Sequence, residues 1–299
     1  MEITPGIRTD VSNQEYHNGP GISKSGLDLI NLSPLHYKTY REHPNRPTKT
    51  FEIGSAFHKI VLEQDDFWNE YCLVPADAPK KPTAAQLNAA KPSAKTIKQI
   101  AWWDQFNAEN EGKLIITNTP GKDKFLNPGD YDRIMRMKES IDNDPILSLL
   151  LNPADIIAES SVYWFDSETK RLCKCKPDAI NTAHNCIVDL KSTQDASFTE
   201  FSKSMGKYRY HVQDAFYSDG LRAIGEPVEA FFFVAVESNP PYCANLLYCS
   251  QEQKRVGRIE YRRNLDTFNE CKKSDNWPGY PINFREADIP GWAMKGRIK

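Results

Sequence analysis

Lys176-Pro177-Asp178, followed eleven residues later by Asp189-Leu190-Lys191, decides the fold. Each triplet lies in a short run with strand character, residues 171–180 and 186–191. The segment between them, Asn181-Thr182-Ala183-His184-Asn185, is rich in turn formers. Side chains alternate faces along a strand, so Asp189 and Lys191 share one face, and Lys174, Lys176 and Asp178 share a face of theirs. If the two strands pair, two carboxylates and a lysine meet at one point. Two hard anionic oxygens suit Mg²⁺ or Mn²⁺. A lysine beside such an ion can hold a water and neutralise charge on a phosphate, the layout of metal-dependent phosphodiester hydrolysis. The same residue types also occur as plain solvated strand ends, so the surrounding sequence has to choose between the readings.

Outward from this point the pattern is strand-rich after Pro153 and helical before it. Residues 156–165, 171–180 and 186–191 read as three strands, 198–224 as a helix interrupted near Gly206, 230–237 and 242–249 as two apolar strands, and 252–273 as a closing helix. Upstream, residues 1–20 read as an irregular lead-in. Ser23 reads as the cap of a helix over 22–31, and Ser33-Pro34 as the start of a second. Residues 51–63 form a third helix, with Ile53, Phe57, Ile60 and Val61 on one face. Residues 75–93, rich in Pro, Ala and Lys, read as a surface loop, and helical pattern returns over 94–111 and 131–151. The expected fold is α/β, a central mixed β-sheet flanked by helices with an N-terminal helical elaboration. It forms a single domain over 1–299, with 1–152 mainly helical and 153–299 the α/β core.

Composition narrows the class. The chain has 299 residues, 39% of them apolar, a net charge of −2 and a mean hydropathy of −0.61. It has no run of ~20 apolar residues, so no membrane span is expected. The N-terminus shows no secretory pattern and the seven cysteines are scattered, which fits a reduced, cytoplasmic setting. A near-neutral total counts mildly against nucleic acid as partner but leaves room for a local basic groove. Lys174, Lys176, Lys207 and Arg209 are the candidates nearest the motif. Cys173 and Cys175 form no C-x-x-C, so no iron–sulfur cluster is expected. No G-x-x-x-x-G-K-[ST] motif is present either.

Taken in order, five pieces make the chain resemble the PD-(D/E)xK nuclease superfamily, its RecB-type branch, and within that the exonuclease VIII (RecE) family. They are Ile22-Ser23-Lys24-Ser25 with Ser33-Pro34, Gly54-Ser55-Ala56-Phe57-His58, residues 158–164 (Ala-Glu-Ser-Ser-Val-Tyr-Trp), Cys173 to Asp178 with Asp189-Leu190-Lys191, and Tyr208 to Tyr217 with its Q-x-x-x-Y pattern. The resemblance implies that Asp178 and Asp189 hold a metal, with the Leu190 carbonyl a third ligand. Lys191 would act on the attacking water. His58 would reach the metal from its helix, Glu159 would stand one layer further out, and Gln213 and Tyr217 would adjoin Lys191 or the DNA backbone. On residues alone, His58 reads rather as a core histidine, Glu159 fits a strand-edge charge and Tyr217 a core aromatic.

The resemblance further implies a Mg²⁺-dependent exodeoxyribonuclease, with Mn²⁺ able to substitute. It would act on ends of linear double-stranded DNA, 5′ to 3′, leaving 3′ overhangs. It would work as a ring-shaped homotetramer with a single-strand annealing recombinase of the RecT type. Two other readings stay open: a single-strand exonuclease or structure-selective endonuclease of the same branch, and a non-catalytic DNA-binding module with the same fold.

Overall fold

The computed structural model describes residues 3–43, 49–124, 126, 128–284 and 286–289. Its strands are β1 (Gly6–Arg8), β2 (Tyr71–Leu73), β3 (Leu114–Ile116), β4 (Ile156–Ala158), β5 (Ser161–Phe165), β6 (Leu172–Cys175), β7 (Ala179–Asn181), β8 (Cys186–Thr193), β9 (Ala230–Glu237) and β10 (Ala244–Leu247). Its helices are α1 (Asn13–Asn18), α2 (Lys24–Leu32), α3 (Pro34–Glu42), α4 (Lys49–Leu62), α5 (Phe67–Glu70), α6 (Ala84–Leu87), α7 (Ala94–Glu109), α8 (Asp130–Asp142), α9 (Pro145–Leu150), α10 (Phe198–Lys207), α11 (Tyr210–Ala223) and α12 (Gln251–Ser274).

The central sheet has five strands in the order β10-β9-β8-β7-β4. Only β8 and β9 run parallel; every other neighbouring pair is antiparallel. The parallel pair needs a crossover, and α10 with α11 supplies it. The sheet is covered on both faces, so its middle strands are apolar nearly throughout. On one face Ile187, Phe231, Phe233 and Ala235 pack with α2, α11 and α12 through Leu27, Val212, Phe216, Tyr261 and Leu265. On the other, Val188, Leu190, Val234 and Val236 pack with α4, α8 and α9 through Phe57, Ile134, Met137, Ile141 and Leu147. Fully burying one such side chain is worth roughly 1.5–3 kcal/mol, so β8 and β9 are firmly anchored on both faces. Alternation along it sends Ile187, Asp189 and Lys191 toward α11, and Val188 and Leu190 toward α4.

Local chemistry starts the helices where the sequence indicates. The Ser23 side chain accepts from the Gly26 amide, and the Ser33 side chain from the His36 amide, with Pro34 in the first turn. Ser250 and Gln253 form a reciprocal capping box at the start of α12. Tight α11–α12 packing needs Gly257, where a Cβ would stand 2.1 Å from the His211 carbonyl oxygen.

Four expectations need correction. Residues 156–165 are not one strand. They break at Glu159, whose φ of 46° is left-handed, and β5 leaves for a second sheet of order β1-β5-β6. Residues 171–180 break likewise at Lys176-Pro177-Asp178: β6 belongs to the second sheet and β7 to the first. Pro177 has no N–H to offer a ladder, which is why the strand cannot continue through it. Lys174, Lys176 and Asp178 therefore do not share a face of one strand. The helical region 198–224 breaks at Tyr208-Arg209 rather than at Gly206, with Arg209 left-handed at φ 55°. The lead-in holds a strand and a capped helix, β1 and α1. A small parallel pair, β2 with β3, sits over a satellite core of Cys72, Trp103 and Phe106. Residues 75–93 are largely loop, with only the short α6 inside it.

Candidate active site

The two breaks bring the acids together. β7 pairs β8 with Ala179 opposite Val188, so Asp178 enters the sheet beside Asp189, and its Oδ2 accepts from the Leu190 amide at 2.6 Å. The other break is tied to the first, since the Glu159 amide donates to the Asp178 carbonyl at 2.9 Å. Past that bond the left-handed backbone turns the chain out of the sheet at Glu159. From the opposite layer α4 delivers His58, whose Nδ1 is 3.6 Å from Asp178 Oδ2. One turn earlier Gly54 lies close to the end of β8, where a Cβ would stand 3.3 Å from Ser192 Oγ.

One ligand atom each from His58, Glu159 and Asp178 falls within a mutual 4.8 Å. This differs from the expected arrangement in two respects. Glu159, expected one layer out, is in the innermost group. Asp189, expected as a ligand, is engaged on both oxygens: Gln213 Nε2 donates to Oδ1, and the Lys191 ammonium lies against Oδ2. Gln213 thus touches Asp189 rather than Lys191. Tyr217 lies one turn further along α11, in the apolar packing beside Phe231, with a phenol that burial pushes well up.

The charge balance is uneven. Burial pushes the Asp178 carboxyl well above the usual carboxylate range, and the nearby charges of Asp189 and Glu159 add to this. Burial alone would lower the Lys191 ammonium, but Asp189 and Asp178 outweigh it and hold its pKa above the ordinary lysine value. Burial and then the Lys191 charge lower His58 to about 4, with the Glu159 charge pulling the other way. At neutral pH the imidazole is therefore neutral and offers a lone pair. Two carboxylate oxygens and one neutral imidazole, in a place where an added positive charge relieves Asp178, fit a divalent cation that accepts mixed oxygen and nitrogen donors. Leu190 points its side chain into the core, so only its backbone is available to the site.

Two of the proposed cationic DNA contacts are structural. Lys174 is buried and donates to the carbonyls of Tyr16 and, at 2.9 Å, Gly19, tying down the N-terminal segment. Arg209 donates to Asp28 at 2.7 Å and to Glu260 at 2.9 and 3.0 Å. Neither faces a substrate groove as a free cation. Lys176 is paired as well, 2.6 Å from Glu159 Oε2, so it serves the site by holding that acid. Lys207 is exposed. Lys174 and Arg209 gave no sign of these roles in sequence, because their partners lie far away along the chain.

With this geometry in hand, relatives can be placed. Residues 23–284 match the model of the PDDEXK-like domain of unknown function DUF3799, and the chain belongs to this family. It is thus a member of the PD-(D/E)xK nuclease class. The crystal structure of a candidate exonuclease from Eubacterium rectale shares the fold: 13% identity, TM-score 0.53, with 95% of this chain and 97% of that one covered. A phage-related exonuclease from Haemophilus somnus aligns over 74% of this chain and 95% of its own at 12% identity, with a TM-score of 0.32, and carries no argument here. No curated protein matches the chain in sequence. Among the described residues, no helix is long and apolar enough to cross a membrane.

Proposed function

We propose that this protein is a divalent-metal-dependent exodeoxyribonuclease that hydrolyses one strand of linear duplex DNA from its 5′ end and leaves a 3′ overhang. The observation that carries the reading is the convergence of His58, Glu159 and Asp178 on one point, with Asp189 and a charged Lys191 beside it. His58, Glu159, Asp178 and the Leu190 backbone would hold Mg²⁺ or Mn²⁺, and Asp189 would complete the negative lining. A bound ion supplies Lewis acidity toward a phosphate oxygen and a more acidic water. The chain's own residues do the rest. The Lys191 ammonium orients the attacking water and balances charge that accumulates on the phosphate. Gln213 fixes the carboxylate of Asp189, and Asp189 in turn fixes Lys191. Lys176 keeps Glu159 aimed inward.

The finer assignment rests on the resemblance of the ordered motifs to the exonuclease VIII family. It extends to a ring-shaped homotetramer closed around DNA and a single-strand annealing recombinase as partner. A ring accounts for a near-neutral subunit, because capture by topology lessens the need for phosphate contacts. The test is digestion of linear duplex labelled at the 5′ or the 3′ end, with a circular control and Mg²⁺, Mn²⁺ or chelator. Early release of 5′ label from linear DNA alone is expected. Cleavage of circles, or of single strands only, would replace this reading with the endonuclease or single-strand alternatives. Metal-independent binding without hydrolysis would leave a non-catalytic module.

A further inference from the structure

A cleft of about 800 Å³ opens beside Lys191, lined in part by Gly54, Arg133, Ser192, Lys207, Tyr208 and Tyr210. Tyr210 lies between it and the site: the Lys191 ammonium is 5.3 Å from the centre of that ring. Tyr208 stacks on Tyr210 with ring centroids 5.8 Å apart and planes 27° apart, and Tyr210 stacks in turn on Phe233 of β9. The aromatic ladder therefore runs from the buried sheet, past the catalytic lysine, to a Tyr208 ring that is half exposed. Exposed aromatics are common, but this one is held in place. Arg209 between the two tyrosines is left-handed at φ 55°, a conformation that costs of order 1 kcal/mol or more in a non-glycine residue. Its guanidinium is fastened to Asp28 and Glu260, and Lys24 Nζ donates to the Tyr208 carbonyl at 2.6 Å. The break between α10 and α11 is thus over-determined, and its result is a rigid pair of stacked rings at the cleft wall.

The cations fit the same purpose. The Lys207 ammonium lies 5.2 Å from the Tyr208 ring centre. Arg133 of α8 lines the same cleft. A flat π-face flanked by cations is the arrangement that takes a base with its phosphate.

We propose that the Tyr208–Tyr210 ladder is a nucleobase-stacking subsite for an unpaired nucleotide next to the scissile phosphate, with Arg133 and Lys207 on the adjoining phosphates. This rests on the nuclease reading above and adds to it how the strand is held. Stacking does not depend on base identity, so the subsite would grip a strand without selecting sequence.

The experiment measures binding of a duplex with a short single-stranded tail by fluorescence anisotropy, with Ca²⁺ in place of Mg²⁺, while one tail base at a time is replaced by an abasic site. In the wild-type protein one abasic position is expected to weaken binding about tenfold. Tyr208→Ala is expected to weaken the intact substrate about tenfold and to lose all sensitivity at that position, while Tyr208→Phe restores both. The melting temperature should be unchanged in either variant, since the Tyr208 ring is half exposed. An abasic profile that is identical in wild type and Tyr208→Ala overturns the subsite. If Mg²⁺-dependent cleavage is absent but the position-specific loss remains, the nuclease reading falls and the stacking site stands. If cleavage is present and the profile is flat, the reverse holds. Absence of DNA binding in all forms overturns both.

Discussion

Two clusters of semi-buried charge adjoin the start of α11, one at Arg209 and one through Gln213, and they are built on opposite rules. Around Arg209, each carboxylate has its cation: Asp28 takes Arg209 and Lys24, and Glu260 Oε2 accepts from both Nε and Nη2 of Arg209, with His211 3.4 Å from Oε1. In the candidate active site three carboxylates, Glu159, Asp178 and Asp189, face two ammonium groups, Lys176 and Lys191. A balanced cluster holds backbone in place. An unbalanced one is left with a carboxyl that burial and its neighbours push well up, which is how a site prepared for a cation differs from an ordinary ion-pair network. Composition does not separate the two clusters; the count of opposite charges within reach of one another does.

Substitutions should divide along this line. The largest effect is expected at Asp189. Asp189→Ala should lower cleavage by more than about 10³-fold, with circular dichroism checking that the variant is folded. Near-normal turnover would take Asp189 out of the mechanism. Next, Lys191→Ala should lose about 10²–10³-fold in rate while titration calorimetry still shows metal binding, since the ammonium is not a ligand. Metal binding lost along with activity would mean the roles are misassigned. His58→Ala should weaken metal affinity by about 10–100-fold, with Mn²⁺ losing more than Mg²⁺ because nitrogen donors suit it better. A variant that melts earlier but keeps its affinity would make His58 a core residue instead.

The balanced cluster should respond in stability. Arg209→Ala is expected to cost about 2–3 kcal/mol in denaturant unfolding, below the range for a fully buried network because the side chain keeps 14% exposure. An unchanged midpoint would show that the cluster anchors nothing. The smallest effect is a pH dependence at Asp214, which is buried 3.3 Å from Lys254 and raised to about 6, chiefly by burial. Its folded value lies above the unfolded one of about 4, so the folded protein holds the proton more tightly. The stability this gives is present below about pH 4 and lost as pH rises through about 6. Asp214→Asn lacks that loss, so its melting temperature relative to wild type should improve between pH 4 and pH 7. A difference that is flat with pH would show that Asp214 does not titrate in this range.

Much of the site was legible because its chemistry sits in short, local patterns. Asp178, Asp189 and Lys191 lie around one hairpin, and Gln213 and Tyr217 are one turn apart on one helix. β9 coincides with the apolar run that marks it, because Phe231-Phe232-Phe233-Val234 with Val236 leave little choice. The strand breaks were harder. Pro177 is a visible obstacle to a continuous strand, whereas nothing about Glu159 marks a left-handed residue in an otherwise extended run. The roles of Lys174 and Arg209 depend on partners 155 and 181 residues away. The three-residue pair β2–β3 joins segments some forty positions apart. Such contacts leave no periodic trace.

The position of β8 in the sheet has a consequence for how the protein is made. The strand that carries Asp189 and Lys191 lies between β7, which precedes it, and β9, which follows only after the whole α10–α11 crossover. A chain leaving the ribosome therefore has every charged residue of the site in hand well before it has the strand that fixes them. Distant pairing of this kind is slow. Pulse-labelled hydrogen exchange during refolding should show β8 amides gaining protection together with those of β9, and not earlier with those of β7. If they do, a nascent chain stopped short of β9 carries the site's charged residues without the geometry that aligns them.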